Sequence, residues 1–436
     1  MSSGEVVYDV VVVGSGPAGA TTGLQAARHG LRAIVLEQDR HPRFHIGESF
    51  LPRNMTLIRE LGLAGALSRI PQTHKVGASF AFGHETEPED FHFQNGLLAV
   101  NYEAFNIERA PFDALLSEEA RRAGAEVVQA GEVRRILALA DGDVAVQVRL
   151  GGEAQRVVRG RYLVDASGQG TVVGWYLKTR RTLPDLKKAA YYGHFTGVHR
   201  QPGTRAGYPL VVMCDEGWFW FIPIDDRRTS VGLVIDAEVA RGVGVPARSL
   251  LFWALERCPL ARRWTAEAVF PERTWTAADF SYTCEPYAGP GYFLVGDAAT
   301  FVDPVFSTGV CLGMMSAVHA VDQIAAVLGG RIGARAAQRR HHRFVQRSSS
   351  TFFRLVRRFY RQPFRELFLH GIGPLQIHRG ITSLLAGNVF PVPAAPLRWR
   401  LRLFELLIEL QRFVPIVPRR AGFSLVDGAI NESPAR

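Results

Sequence analysis

An α/β fold with an inserted, mostly antiparallel sheet and a helical C-terminal region is what the 436-residue sequence predicts. Three observations carry this. A strand-turn-helix-strand pattern opens the chain. Stretches rich in β-branched and aromatic residues interrupt it, and arginine-rich helical segments close it.

The elements follow in order. Residues 6–13 hold an unbroken Val10–Val13 run, the pattern of a strand buried on both faces. Gly14–Gly19 is a glycine-rich turn. A helical pattern then runs to about Gly30, a suitable C-terminal stop. Leu31–Leu36 is a second apolar strand ending at Glu37, which completes a βαβ unit. Residues 76–83, 95–107 and 207–236 are expected strands of a second, mostly antiparallel sheet. Pro111–Gly124 is helical, with acids early and Arg121 and Arg122 late, as the helix dipole favours. Val127–Val148 alternates in strand fashion in places. Leu163–Val164 leads into Asp165-Ala-Ser-Gly168, and Tyr292–Val295 leads into Gly296-Asp297. After Gly330 the helices are broken by Pro391, Pro393, Pro396, Pro415 and Pro418.

Composition excludes several classes. With 47% hydrophobic and 21% charged residues, the chain is not disordered, collagenous or a coiled coil. The net charge of +10 is unevenly placed. Residues 331–436 hold 19 Arg, no Lys and five acids, a formal +14, so residues 1–330 carry −4. Cys214, Cys258, Cys284 and Cys311 form no C-x-x-C pair, so neither a metal site nor a disulfide framework is expected. No basic leader and no run of 18 uncharged apolar residues is evident, and a cytoplasmic location is the simplest expectation.

Gly14-Ser-Gly16-Pro-Ala18-Gly19 is G-x-G-x-x-G between a strand and a helix. Gly14 permits the tight turn, Gly16 lets backbone approach a pyrophosphate, and Gly19 lets the helix pack closely. The helix N-terminus faces the phosphates, and Glu37 can accept from an adenosine ribose. Arg109-Ala-Pro-Phe-Asp113, Asp165-Ala-Ser-Gly168 and Gly296-Asp297-Ala-Ala follow in that order. Together these segments resemble the FAD-dependent monooxygenase-like superfamily over most of residues 8–320. The resemblance implies an FAD-binding Rossmann-like domain from residues 1–75, 105–190 and 270–330. Residues 76–104 and 191–269 form the substrate sheet, and residues 331–436 an Arg-rich helical region. It also implies that Gly296 and Asp297 contact the ribityl chain, with Ala18, Ser49, Arg109, Asp165 and Pro304 at the cofactor. No second glycine motif is present, so reduced flavin is expected from a separate reductase.

Three further patterns narrow the family. Trp218-Phe-Trp220-Phe-Ile-Pro223 is W-x-W-x-I-P. Phe301 to Gly309 matches F-x-x-P-x-x-S-x-G, and Lys75 lies after Gly47-Glu48-Ser49 and before Gly77-Ala78. Together they resemble the flavin-dependent halogenases. The resemblance implies that reduced flavin (FADH2) and O2 give a flavin hydroperoxide. Chloride or bromide, held at Ser307-Thr308-Gly309, attacks it to form hypohalous acid. That acid reaches Lys75 through a tunnel. The ammonium can polarise it, or the neutral amine can form a haloamine; both routes stay open. Trp218, Trp220 and Pro223 would wall flavin off from substrate, although the two indoles, at i and i+2, are also ordinary packing for one strand face. No metal is implied.

Tryptophan halogenases of this family carry a glutamate directly before the turn serine, where this chain has Phe306. The departure favours a phenolic or pyrrolic substrate, whose ring already stabilises the cation formed by electrophilic attack. Two rivals stand beside this expectation. One is an aromatic monooxygenase or oxidoreductase without halide chemistry, the other a non-catalytic flavoprotein.

Arg331 to Arg365 contains eleven arginines and no acid. Such a run attracts anionic partners. An acyl carrier protein presenting a tethered substrate comes first. An anionic membrane comes second, with Phe352, Phe353, Phe359, Tyr360, Phe364, Phe368 and Leu401–Leu410 as an interfacial face. Nucleic acid is not expected, because no recognised module is present. Arg354, Arg357 and Arg358 are the positions at which the sequence suggests testing carrier docking.

Overall fold

A computed structural model describes residues 6–98, 101–152, 154–278, 281–371 and 374–431. The opening unit is strand Val7–Val13, helix Pro17–Arg28 and strand Ala33–Glu37. Val10–Val13 is buried throughout because its strand lies inside the first sheet. That sheet runs Ala288–Gly289, Tyr292–Leu294, Ala154–Asp165, Val7–Val13, Ala33–Glu37, Glu126–Gln129. From Tyr292–Leu294 to Glu126–Gln129 every pairing is parallel. Register sets Val13 beside Asp165 and Leu36, and Asp165 beside Leu294. The glycine turn, the Asp165 turn and the Gly296-Asp297 turn therefore leave one sheet edge together, at the carboxyl ends of the strands. Val127–Val148 resolves into parts of three strands, Glu126–Gln129, Gly131–Ala140 and Asp143–Leu150.

The second sheet has seven strands, from Trp275–Ala278 through Lys188–Thr196, Arg228–Asp236, Gly217–Pro223, Leu210–Cys214 and Gly77–Phe82 to Glu89–His92. All its pairings are antiparallel except Leu210–Cys214 with Gly77–Phe82. Period-two alternation divides its faces. Trp218 and Trp220 enter the core shared with the first sheet. Phe219 and Phe221 enter a separate core with Leu250, Leu251, Leu255 and Trp264.

The expected strand at 95–107 is mostly absent. Only Ala104–Asn106 is extended in a ladder, and residues 99–100 lie outside the described residues. Asn95, Gly96 and Asn101 are turn formers, which outweigh the scattered apolar positions. Ala104–Asn106 pairs not with the large sheet but with Thr73–Lys75, a strand the sequence did not announce.

Among the described residues, four α-helices follow residue 330: Ala334–Phe359, Gln362–Leu369, Ile377–Leu385 and Ala395–Gln411. Helix Gly309–Leu328 packs against both Pro17–Arg28 and Ala334–Phe359. Among the described residues it is the one helix long and apolar enough to cross a membrane, and most of it is enclosed within the protein.

The basic region is more internally engaged than its sequence suggests. Phe352, Phe359, Phe364 and Phe368, taken with Leu401 as an interfacial face, are core residues, as are Phe404 and Ile408. Their burial takes away much of the apolar face that a membrane contact would use, although Leu406 and Leu410 of the same stretch are exposed. The arginines chosen for docking are internally paired. Arg354 bonds Glu405 at 3.1 Å, and Arg357 bonds Asp185 at 2.5 Å. Arg358 lies 3.8 Å from both Glu405 and Glu409. Arg365 is fully buried and donates to the carbonyls of Phe359 and Cys214, both at 2.9 Å. This half of the run clamps the C-terminal helices together and to the body. The exposed Arg335, Arg339, Arg340, Arg343 and Arg347 pair with no acid among the described residues.

Candidate active site

Gly14 adopts φ +93°, and a Cβ there would sit 2.5 Å from the Ala166 carbonyl oxygen. A Cβ at Gly19 would lie 1.9 Å from the Gly14 oxygen, so helix and turn touch as backbones. Ala18 packs onto Gly296 and Gly313. Gly16 caps the helix without a side chain, leaving first-turn N–H groups for a ligand. Buried Glu37 accepts from the Ser15 N–H at 2.7 Å and the Asp39 N–H at 3.0 Å, so it braces the turn. Two carboxylate lone pairs remain for a ribose. Arg43, which the sequence reading missed, lies 3.7 Å from Glu37 and 3.4 Å from Asp113. Its guanidinium is the group that a Cβ at Gly16 would meet. A cation therefore stands over the glycine turn, where a pyrophosphate needs one.

Arg109 is held rigidly. It grips Asp113 at 2.8 and 3.0 Å and donates to the Ile46 carbonyl at 2.8 Å. Asp165 accepts from the Ser167 and Val173 N–H groups at 3.0 and 2.7 Å, so its carboxylate closes its own turn. Asp297 differs. No hydrogen bond reaches its carboxylate among the described residues. Burial pushes its pKa up to about 6 against the opposing charge of Arg109. A Cβ at Gly309 would find Asp297 Oδ1 at 3.8 Å. An unpartnered acceptor beside the N-terminus of helix Gly309–Leu328 fits the hydroxyls of a ribityl chain. These residues fit FAD.

Lys75 ends strand Thr73–Lys75 and is 2% exposed. Its Nζ donates to Ser49 Oγ and to the Phe50 carbonyl, each at 2.8 Å. Ser307 Oγ donates to Ser49 Oγ at 3.2 Å. One serine thus joins the lysine to the turn. Burial lowers the Lys75 pKa to about 7, with no carboxylate beside it to offset the loss of hydration. Ser307 is left-handed at φ +56°, an uncommon backbone for a non-glycine residue. Thr308 precedes the first turn of the helix that Gly309 opens, and that first turn has no side-chain cap. Its first-turn N–H groups are the kind of donors that an anion would need.

Asp303, also missed, ties the two halogenase-like motifs together. It caps the turn opened by Pro304 by accepting from the Val305 N–H at 3.1 Å. It also accepts from the Tyr360 hydroxyl and, at 3.5 Å, from Trp218 Nε1. Trp220 Nε1 donates to Ser230 Oγ at 3.1 Å, and the two indole rings lie 5.8 Å apart. Pro223 ends their strand. Phe306 packs against Phe352 and Phe359 at ring separations of 6.4 and 6.1 Å. Glu48, adjacent to Ser49, pairs with His194 at 2.9 Å. Asp303 and Glu48 lie inside motifs the sequence marks; Tyr360 and His194 carry no local signal.

Fold and site define a flavoprotein with a buried lysine joined through Ser49 to the Ser307 turn. The FAD binding domain family model matches residues 7–348. The chain is 32% identical over 327 residues, 74% of its length, to a 1H-pyrrole-2-carbonyl-(peptidyl-carrier protein) brominase of Pseudoalteromonas luteoviolacea, covering 78% of that protein. It is 27% identical over 416 residues, 88% of its length, to the corresponding chlorinase of Pseudomonas fluorescens, covering 90% of that protein. The solved structure of the flavin-dependent brominase Bmp2 superposes with a TM-score of 0.81 at 27% identity, over 93% of this chain and 99% of that one. The myxobacterial chondrochloren halogenase CndH gives 0.76 at 29% identity, over 92% and 97%. The chain belongs to the flavin-dependent halogenases, oxidoreductases that use FADH2, halide and O2.

Proposed function

We propose that the chain halogenates an electron-rich pyrrole or phenol ring presented on an acyl or peptidyl carrier protein. A separate reductase supplies the FADH2. The observation that carries this reading is the Lys75–Ser49–Ser307 chain beside an apolar Phe306. The pyrrolyl carrier-protein substrates printed for two relatives support the tethered form. Bound reduced flavin, with O2 and chloride or bromide, supplies hypohalous acid.

The roles of the chain's own residues follow from their positions. Gly14, Gly16, Gly19, Arg43 and the helix N-terminus seat the pyrophosphate, and Asp297 the ribityl hydroxyls. The N–H groups of Thr308 and Gly309 hold halide without a titratable group. Trp218 and Trp220, fixed through Asp303 and Ser230, keep water and substrate from the flavin. Ser49 and the Phe50 carbonyl occupy two Lys75 donors. The protonated amine keeps one N–H to polarise hypohalous acid, and the neutral amine keeps its lone pair for a haloamine. A pKa near 7 populates both forms.

No acid assists the ring. Phe306 holds that position, and Phe352 and Phe359 enclose it. A ring that already stabilises its cation suits this site. The buried central helix and four buried free cysteines accord with a cytoplasmic enzyme. The test is mass spectrometry of a pyrrole-2-carbonyl carrier protein incubated with the enzyme, a flavin reductase, O2 and bromide or chloride. A halogen added to the ring supports the reading, and an unmodified or hydroxylated ring contradicts it.

A further inference from the structure

Asn106 is fully buried at the end of strand Ala104–Asn106. Its Nδ2 donates to the Gly207 carbonyl at 2.8 Å. A carbonyl only accepts, so the orientation of this amide is determined. Oδ1 then points elsewhere, and no donor among the described residues reaches it. A buried acceptor without a donor is costly and calls for an explanation.

Register says where this acceptor lies. Asn106 pairs with Thr73 on one side and bridges Ser49 on the other. Lys75 pairs with Ala104, two residues away from Asn106. Directly opposed residues share a face, and so do residues two apart. Ser49, Lys75 and Asn106 therefore stand on one face of this small sheet. The Lys75–Ser49 hydrogen bond shows the same shared side. Lys75 and Asn106 are diagonal neighbours, roughly 7–8 Å apart along the backbone.

We propose that Asn106 Oδ1 accepts the ring N–H or O–H of the aromatic substrate, selecting rings that carry a hydrogen-bond donor and holding them beside Lys75. This rests on the functional reading above and names the recognition element within it. Accepting that proton's hydrogen bond shifts electron density into the ring. The ring becomes more nucleophilic, a help that the apolar Phe306 cannot provide. An acceptor-only group also rejects rings in which the donor is masked.

The experiment compares four probes: a pyrrole-2-carbonyl pantetheine thioester, its N-methyl form, a 4-hydroxyphenyl counterpart, and the O-methyl form of that counterpart. Binding is followed by calorimetry, and kcat and KM are measured separately. The wild-type enzyme should favour one unmethylated ring over its methylated partner by at least about tenfold in affinity. Whether that is the pyrrole or the phenol identifies the donor. Asn106→Leu keeps the branching at Cγ and removes the acceptor, so the preference should fall to about twofold. Asn106→Asp, protonated in this buried place, can donate to Gly207 and still accept, so it should retain the preference even if the leucine variant folds poorly. Discrimination retained in Asn106→Leu, or equal binding of both forms by the wild type, overturns the inference. Binding of none of the four probes by the wild type contradicts the functional reading, and the inference with it.

Discussion

Lys75 Nζ lies 2.8 Å from Ser49 Oγ, and that same hydroxyl accepts from Ser307 at 3.2 Å. Two points 232 residues apart in sequence, the lysine and the left-handed turn, thus meet through one side chain. Replacing Ser49 by Ala leaves Lys75 with only the Phe50 carbonyl as acceptor among the described residues. Loss of a hydrogen bond to a charged donor costs about 1.5–3 kcal/mol. Ser49→Ala should lower halogenated product per flavin oxidised by roughly tenfold. Product and hydrogen peroxide measured together check this, and unchanged coupling contradicts it.

The lysine also leaves a pH signature in stability. Its pKa falls from 10.5 to about 7 on folding because burial disfavours the ammonium. Between those values the unfolded chain holds more protons than the folded one, so stability rises with pH. Below about pH 7 the full penalty is present and constant. The stability of the wild type relative to Lys75→Met should therefore be flat below pH 7 and rise towards pH 10. Denaturant titrations of both proteins across that range test the sign. Parallel curves would mean that Lys75 keeps an ordinary pKa.

At position 306 a carboxylate would be sealed against Phe352 and Phe359. Burying an unpaired polar group and losing an aromatic contact together cost about 3 kcal/mol or more. Phe306→Glu should lower the melting temperature markedly and confer no halogenation of free tryptophan. A stable variant that chlorinates tryptophan would show that the apolar residue does not set the substrate class.

Carrier docking moves to new positions. Charge reversal at Arg354 or Arg357 breaks bonds to Glu405 or Asp185, so its first effect should be on stability. Reversal at Arg339, Arg343 and Arg347 meets no internal acid. It should raise KM for a carrier-bound substrate several-fold at low salt and leave a free thioester unaffected. Equal effects on both substrates would exclude that face.

Much of this architecture is legible in the residues, and the gaps have physical causes. The Val10–Val13 run, the glycine turn and the Trp218/Trp220 alternation are local patterns, and local patterns survive in sequence. The apolar residues of Ala334–Phe359 were equally visible, but periodicity does not say whether a face meets protein or lipid. The acids Asp185, Glu405 and Glu409 are 47–172 residues away from Arg354, Arg357, Arg358 and Arg361, so the second half of a run that looks uncompensated is not. The motifs mark Ser49 and Ser307 separately, while their contact is a product of tertiary folding. Asn106 lay inside an expected strand that formed only at its end, and nothing local distinguished it. Arg43 and Asp303 sat beside recognised motifs and were passed over because single charges in loops are usually solvated.

We propose that Lys75 transfers halogen and takes no part in flavin oxidation. The most direct measurement follows flavin oxidation and ring halogenation in one reaction, for wild type and Lys75→Ala, with bromide and a pyrrole-2-carbonyl carrier protein. Lys75→Ala should oxidise reduced flavin at close to the wild-type rate while halogenated product falls at least about a hundredfold. Full halogenation by Lys75→Ala, or loss of flavin oxidation together with halogenation in a folded variant, would contradict the account.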